Sequence, residues 1–150
     1  MSDIIEFKNK YYFLSNFFPS PIVIGGFEYS TVEHWYQANK TTDRAEFNKI
    51  RKALTPGLAK RLGRRSSLRS NWKEIRDQIM FFGVFNKFLQ NPELAEKLIE
   101  TGCMPLVEGN TWHDNYWGQC FCEKCRVIRG QNKLGRILES VRSLLLLLIE

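Results

Sequence analysis

No stretch of this chain is apolar for long enough to cross a bilayer. The longest such run, Leu144 to Ile149, falls well short of the roughly 20 residues that a spanning helix needs. The opening residues Met1 to Glu6 hold no basic segment followed by an apolar core, so no secretory leader is read there and a soluble, cytoplasmic protein is expected. Internal repeats, low-complexity linkers and breaks in composition are missing too. At 150 residues the chain suits one compact domain and is short for two. Cysteine is scarce: Cys103, Cys120, Cys122 and Cys125 are the whole supply. In a cytoplasmic chain they read as thiols or metal ligands rather than disulfides.

Aromatic residues, by contrast, are plentiful, at 13% of the chain with eleven Phe and four Trp. They serve cores and base-stacking pockets alike. The net charge of +6 favours anionic partners such as phosphates, nucleotides or nucleic acid. Along the chain, Pro21 to Ile24 and Phe27 to Tyr29 flank Gly25-Gly26 and predict a β-hairpin. Ser30-Thr31-Val32-Glu33 has the spacing of a capping box and opens a helix reaching about Lys40. Thr55-Pro56-Gly57 starts a short helix over 58–62, and Asn71 precedes a long one. Asn91-Pro92 starts another that Gly102 ends, and a closing helix runs from about Asn132. The segment 103–130 has no clear period. The expected fold is α+β, a mostly helical single domain over 1–150 with a small N-terminal β-sheet.

Three groups of residues could carry chemistry. Glu33, Gln37 and Lys40 stand at i, i+4 and i+7, so an acid, an amide and an amine share a helical face. The plainer account makes Glu33 the second half of a capping box and Lys40 a last-turn cation, and on spacing alone it is preferred. From Lys60 to Lys73 the chain carries six cations and no acid, read as a Gly- and Ser-containing loop before a helix start. Such a loop suits phosphate oxygens, or is simply a solvated surface. Trp112 to Gly118 sets Asp114 among two Trp, a Tyr and a His. There a walled carboxyl could donate a proton, or Asp114 could cap a turn. Cys120, Cys122 and Cys125 form C-x-C-x-x-C, with Cys103 as a remote fourth thiolate and His113 as an alternative. A structural zinc is the lesser reading of that cluster, because the fourth ligand is not local and a buried free thiol is ordinary.

These pieces occur in an order that resembles the YbiA-like (NADAR) family. Phe13-Leu14-Ser15-Asn16-Phe17-Phe18-Pro19 is similar to its L-S-N-F-x-P opening, and Val32 to Lys40 to its V-E-H-x-Y-Q-A-x-K helix. Ala59 to Arg64 is similar to A-K-x-x-G-R, Asp114 to Gly118 to D-x-x-W-G, and Gly130 to Gly135 to G-x-N-x-L-G, with Val141-Arg142 closing the match. The likeness runs over residues 6 to 142, with the Cys-rich stretch after Gly118 shared by only some relatives. It leaves out the apolar tail, for which helix packing or a dimer contact would suffice.

The resemblance implies a YbiA-like fold and cleavage of an N-glycosidic bond between ribose and a nucleobase-like group. The substrate would be an ADP-ribosylated guanine base or a ribosylamino-pyrimidine intermediate of riboflavin synthesis. It implies Glu33, Asp114 and Lys40 as catalytic, with Ser15, Asn16, Arg64, Arg65, Trp72, Trp117 and Asn132 binding a phosphorylated ribosyl or ADP-ribosyl substrate. ADP-ribosylated nucleic acid is a further partner under this reading. No cofactor is required and no membrane is involved. The residues from the different elements are expected to converge on one cleft. Two other readings use the same residues: a non-catalytic module for ADP-ribose or a nucleotide, and a zinc-containing nucleic-acid binder.

Overall fold

The computed structural model describes residues 2–150, which form six α-helices and two two-stranded sheets. They fall into two compact units, Asn16–Asn91 and Met1–Ser15 with Pro92–Glu150. No described helix is long and apolar enough to cross a membrane.

In the unit Asn16–Asn91, β1 (Ile22–Ile24) and β2 (Phe27–Tyr29) pair antiparallel, with Ile22 opposite Tyr29. Gly25 and Gly26 make the turn at φ of 60° and 83°, a region that a residue without Cβ enters at little cost. Four helices follow: α1 (Val32–Ala38), α2 (Arg44–Arg51), α3 (Pro56–Arg65) and α4 (Trp72–Gln90). Ile22, Tyr29, Trp35, Ala38, Ile50 and Ala59 form a shared apolar core. Trp35 sits edge-on to Tyr29, and its indole Nε1 donates to the Ile79 carbonyl at 2.7 Å. Gly83 leaves the space that this indole fills.

Two expectations are corrected here, and one helix is added. The α1 cap is Thr31, not Ser30: Thr31 Oγ1 accepts from His34 N, so Glu33 sits one position too early to reach back as a capping-box acid. α3 runs on to Arg65 rather than stopping at Leu62, so Arg64 and Arg65 are helical rather than part of a loop. Helix α2 is new; Asp43 caps it through Glu46 N.

The unit Met1–Ser15 with Pro92–Glu150 contains a 3-10 helix (Asn9–Leu14), α5 (Pro92–Glu100), α6 (Lys133–Ile149) and the parallel pair β3 (Gly109–Asn110) and β4 (Gln119–Cys120). Helix α6 packs on α5. Buried Arg142 donates to Thr101 Oγ1 and the Met104 carbonyl, satisfying groups at the end of α5. Asn132 starts α6 from a left-handed conformation. Its side chain accepts from Glu108 N and donates to Leu106 O, so both ends of the amide are engaged by backbone. A Cβ on Gly135 would meet Leu106 O and the Asn132 amide. The G-x-N-x-L-G element is therefore a clasp between α6 and the segment 105–119.

Candidate active site

The most concentrated chemistry in the unit Asn16–Asn91 lies on α1. Thr31 fixes the helix start, and Glu33 N donates to the Asn16 carbonyl. With that terminus settled, the Glu33 side chain turns inward, where it is 8% exposed. Gln37, one turn on and 4% exposed, donates from Nε2 to Glu33 Oε1 at 2.7 Å. α3 makes room for that amide at Gly63, whose missing Cβ would collide with Gln37 Oε1. This Oε1 and Asn16 Oδ1 are buried acceptors without a donor. An unpaired buried acceptor costs free energy, and such atoms concentrate where a ligand would satisfy them.

Around the carboxyl stand Lys60, Lys40 and Arg64. Burial pushes the Glu33 carboxyl above its usual range, while the Gln37 hydrogen bond and those three cations pull it back. Burial pushes the Lys40 ammonium below its usual range; Glu33 opposes this, and Arg64 and Lys60 add to it. The Lys40 Nζ lies 5.5 Å from the centre of the Tyr36 ring. The Glu33 carboxyl is thus raised and the Lys40 ammonium lowered from their ordinary values, each chiefly by burial.

The other residues named from the sequence divide as follows. Asn16 is buried in this set, its Nδ2 donating to Met80 Sδ. Trp72 is 5% exposed and edge-on to Tyr36. Arg64 and Arg65 are exposed on the last turn of α3. Lys60 and Gln37 join the set beyond the expected ligands. The i, i+4 spacing had already put Gln37 on the Glu33 face, and Lys60 is the Lys of the A-K-x-x-G-R element, though it was not among the expected site residues.

Ser15, Asp114, Trp117 and Asn132 belong to the second unit. Ser15 ends the 3-10 helix, its backbone N donating to the Tyr12 carbonyl. Half-buried Asp114 accepts from Tyr116 N and Trp117 N through Oδ1, at 3.1 and 2.9 Å, so it caps a turn. Trp117 lies edge-on to Tyr116, which also carries Lys133 over its ring. Asn132 is spent on the clasp. The ligand atoms of His113, Cys120, Cys122 and Cys125 lie within 4.8 Å of one another, a set that could hold a metal ion. Cys103 is exposed and outside it, which corrects the expected fourth thiolate to His113.

Comparison with known proteins gives consistent matches. A model of the NADAR domain matches residues 5–146. The N-glycosidase YbiA of Escherichia coli is 38% identical over 130 residues, covering 85% of this chain and 78% of that protein. An N-glycosidase of Nostoc punctiforme is 42% identical over 133 residues, covering 85% and 81%. A riboflavin biosynthesis protein of Vibrio vulnificus is 39% identical over 132 residues, covering 87% of this chain and 34% of that one. The NMR structure of E. coli YbiA superposes with a TM-score of 0.83 at 34% identity, over 99% of this chain and 89% of that chain.

Proposed function

The chain belongs to the NADAR domain family, and from that membership we propose that it is an N-glycosidase, a hydrolase cleaving the bond between a ribose and a nucleobase-like leaving group. Hydrolysis breaks the bond from ribose C1′ to nitrogen, places a water oxygen on C1′ and a proton on the departing nitrogen. The transition state carries positive charge at the ribosyl centre. The observation that carries the reading is buried Glu33, held by Gln37 and ringed by Lys40, Lys60 and Arg64. A carboxyl raised toward neutral pH by burial can give a proton to the leaving nitrogen and take one from the attacking water.

Lys60 and Arg64, with Arg65 beside them, supply charge for a substrate phosphate, so phosphorylated ribosyl or ADP-ribosyl compounds are the proposed class. The unpaired Asn16 Oδ1 and Gln37 Oε1 suit ribose hydroxyl donors. Asp114 is assigned as the second carboxylate from the family resemblance, its Oδ1 already committed to the Tyr116–Trp117 turn. No step needs a cofactor. The reaction is placed in the cytoplasm, where free thiols such as the four in this chain are kept reduced.

One observation favours a second mechanism at the same site. Lys40, whose ammonium burial holds below its usual range against the pull of Glu33, could attack C1′ as the free amine; the C1′–nitrogen bond breaks, the base leaves with a proton, and ring opening of the resulting ribosylamine gives a Schiff base. Borohydride added during turnover would then fix the sugar on Lys40; direct hydrolysis leaves no adduct. The function itself is tested by incubating purified protein with a ribosylamino-pyrimidine phosphate and with ADP-ribosylated guanosine. Release of the base with the sugar product from either supports it. Tight binding of both without turnover would make the chain a binding module instead.

A further inference from the structure

We propose that His113, Cys120, Cys122 and Cys125 form a structural zinc site that staples the loop 111–130. Three thiolates and an imidazole are the donor set zinc prefers in closed four-ligand sites. A tetrahedral zinc with bonds of about 2.3 Å to sulfur and about 2.0–2.1 Å to nitrogen sets its ligand atoms about 3.5–3.8 Å apart. His113 Nδ1 lies 3.3 Å from Cys125 Sγ and 3.4 Å from Cys122 Sγ, and all four ligand atoms fall within 4.8 Å of one another. An inward shift of about an ångström at most closes the set around one ion.

The backbone is arranged for such a role. Cys122 and Cys125 sit on a tight turn in which Cys125 N and Arg126 N donate to the Cys122 carbonyl. His113 reaches the cluster from a left-handed backbone, φ 69°, unusual for a residue with a Cβ. Asn110 holds it there: Oδ1 accepts from Trp112 N and Asp114 N, and Nδ2 donates to Asp114 O. Three thiolates on a divalent ion leave one net negative charge, and Lys124, Arg126 and Arg129 on the same loop offset it.

Four protein ligands leave no open position, so the ion is a fastening rather than a reaction centre. It would hold the 120–125 turn against the loop bearing Asp114, in a segment whose only sheet is two residues deep. None of this depends on the glycosidase reading.

The test is elemental analysis of the full chain, expressed with zinc supplied and purified under reducing conditions without chelator. The expected result is about one zinc per chain that survives desalting, nearly all of it lost in Cys122→Ser and Cys125→Ser and retained in Cys103→Ser. Cobalt exchanged into the site should give the intense visible absorption of a tetrahedral thiolate complex, also absent from both variants. Thiol titration of the wild type with and without chelator supplies a second readout that needs no folded variant: three more thiols should react once the metal is removed. Zinc stripped by desalting, zinc kept in the Cys122→Ser, Cys125→Ser double variant, or a disulfide between Cys122 and Cys125 in the reduced preparation would overturn the proposal.

Discussion

At Glu33, function and stability pull in opposite directions. Burial holds the folded carboxyl above its unfolded value of 4.5, so the folded state pays for the charge once pH rises past the folded value. That penalty shrinks as pH falls toward 4.5. Glu33→Gln keeps the size and the hydrogen-bonding reach toward Gln37 and removes the charge. Its melting temperature near pH 7 should equal or exceed that of wild type, with the difference closing toward pH 4.5. Turnover should nonetheless fall by ~10²–10⁴-fold, the usual worth of a general acid–base group. Asp114→Asn separates two roles in the same way. Asn can still accept the Tyr116 and Trp117 amides and keep the turn, so a loss of turnover without a loss of stability marks a catalytic carboxylate, whereas unchanged kinetics marks a cap alone.

At the scale of elements, α1 is positioned from both sides. His34 Nε2 meets the Ala53 carbonyl at 2.9 Å and must donate to it, which leaves Nδ1 to accept from Thr31 Oγ1 at 2.8 Å. That pairing suits the neutral ring, and burial holds its folded value below the ordinary 6.5. The stability it contributes is complete above pH 6.5 and is lost as pH falls below that value, because the unfolded imidazole takes up a proton first. Urea unfolding across that range should show the decline, and His34→Gln should flatten it. On the other side, Gly63→Ala would push the Gln37 amide away from Glu33 or force α3 outward. The expected result is a loss of turnover with a destabilisation of about 1–3 kcal/mol, measured by kinetics and denaturation of the same preparation.

Most of these elements were legible in the chain because their signals are local. Pro56 after Thr55, Pro92 after Asn91 and the Gly25-Gly26 turn each act within a few residues, and all three hold. Helix α2 went unread: its cap at Asp43 is local, but the helix offers few apolar residues to set a period. The capping box misled because two adjacent hydroxyls, Ser30 and Thr31, compete for the cap. One residue of register decided whether Glu33 reached back to the backbone or into the interior. The Lys60 contribution and the role of Gly63 arise from α3 lying on α1, which no local pattern encodes. His113 was open as an alternative to Cys103 beside the other cysteines, and the choice between them depends on an aperiodic loop folding back on itself.

For the whole molecule, the family match spans residues 5–146 and so takes in both compact units. Residues of the matched elements also serve as fastenings: Asn132 and Gly135 tie α6 down, and Arg142 closes α5. Asn132→Ala should accordingly lower stability by about 1–3 kcal/mol, through the two backbone groups left unpaired, with KM little changed. We assign the chemistry chiefly to Glu33, held by Gln37 among Lys40, Lys60 and Arg64. The most direct measurement is single-turnover release of base from a ribosylamino-pyrimidine phosphate or ADP-ribosylated guanosine by wild type and Glu33→Gln, both shown to be folded and to bind the compound. Rapid release by wild type and a ~10²–10⁴-fold slower release by the variant, with binding retained, is the predicted result. Equal release rates in the two proteins would contradict the assignment of Glu33 as the group that moves the proton.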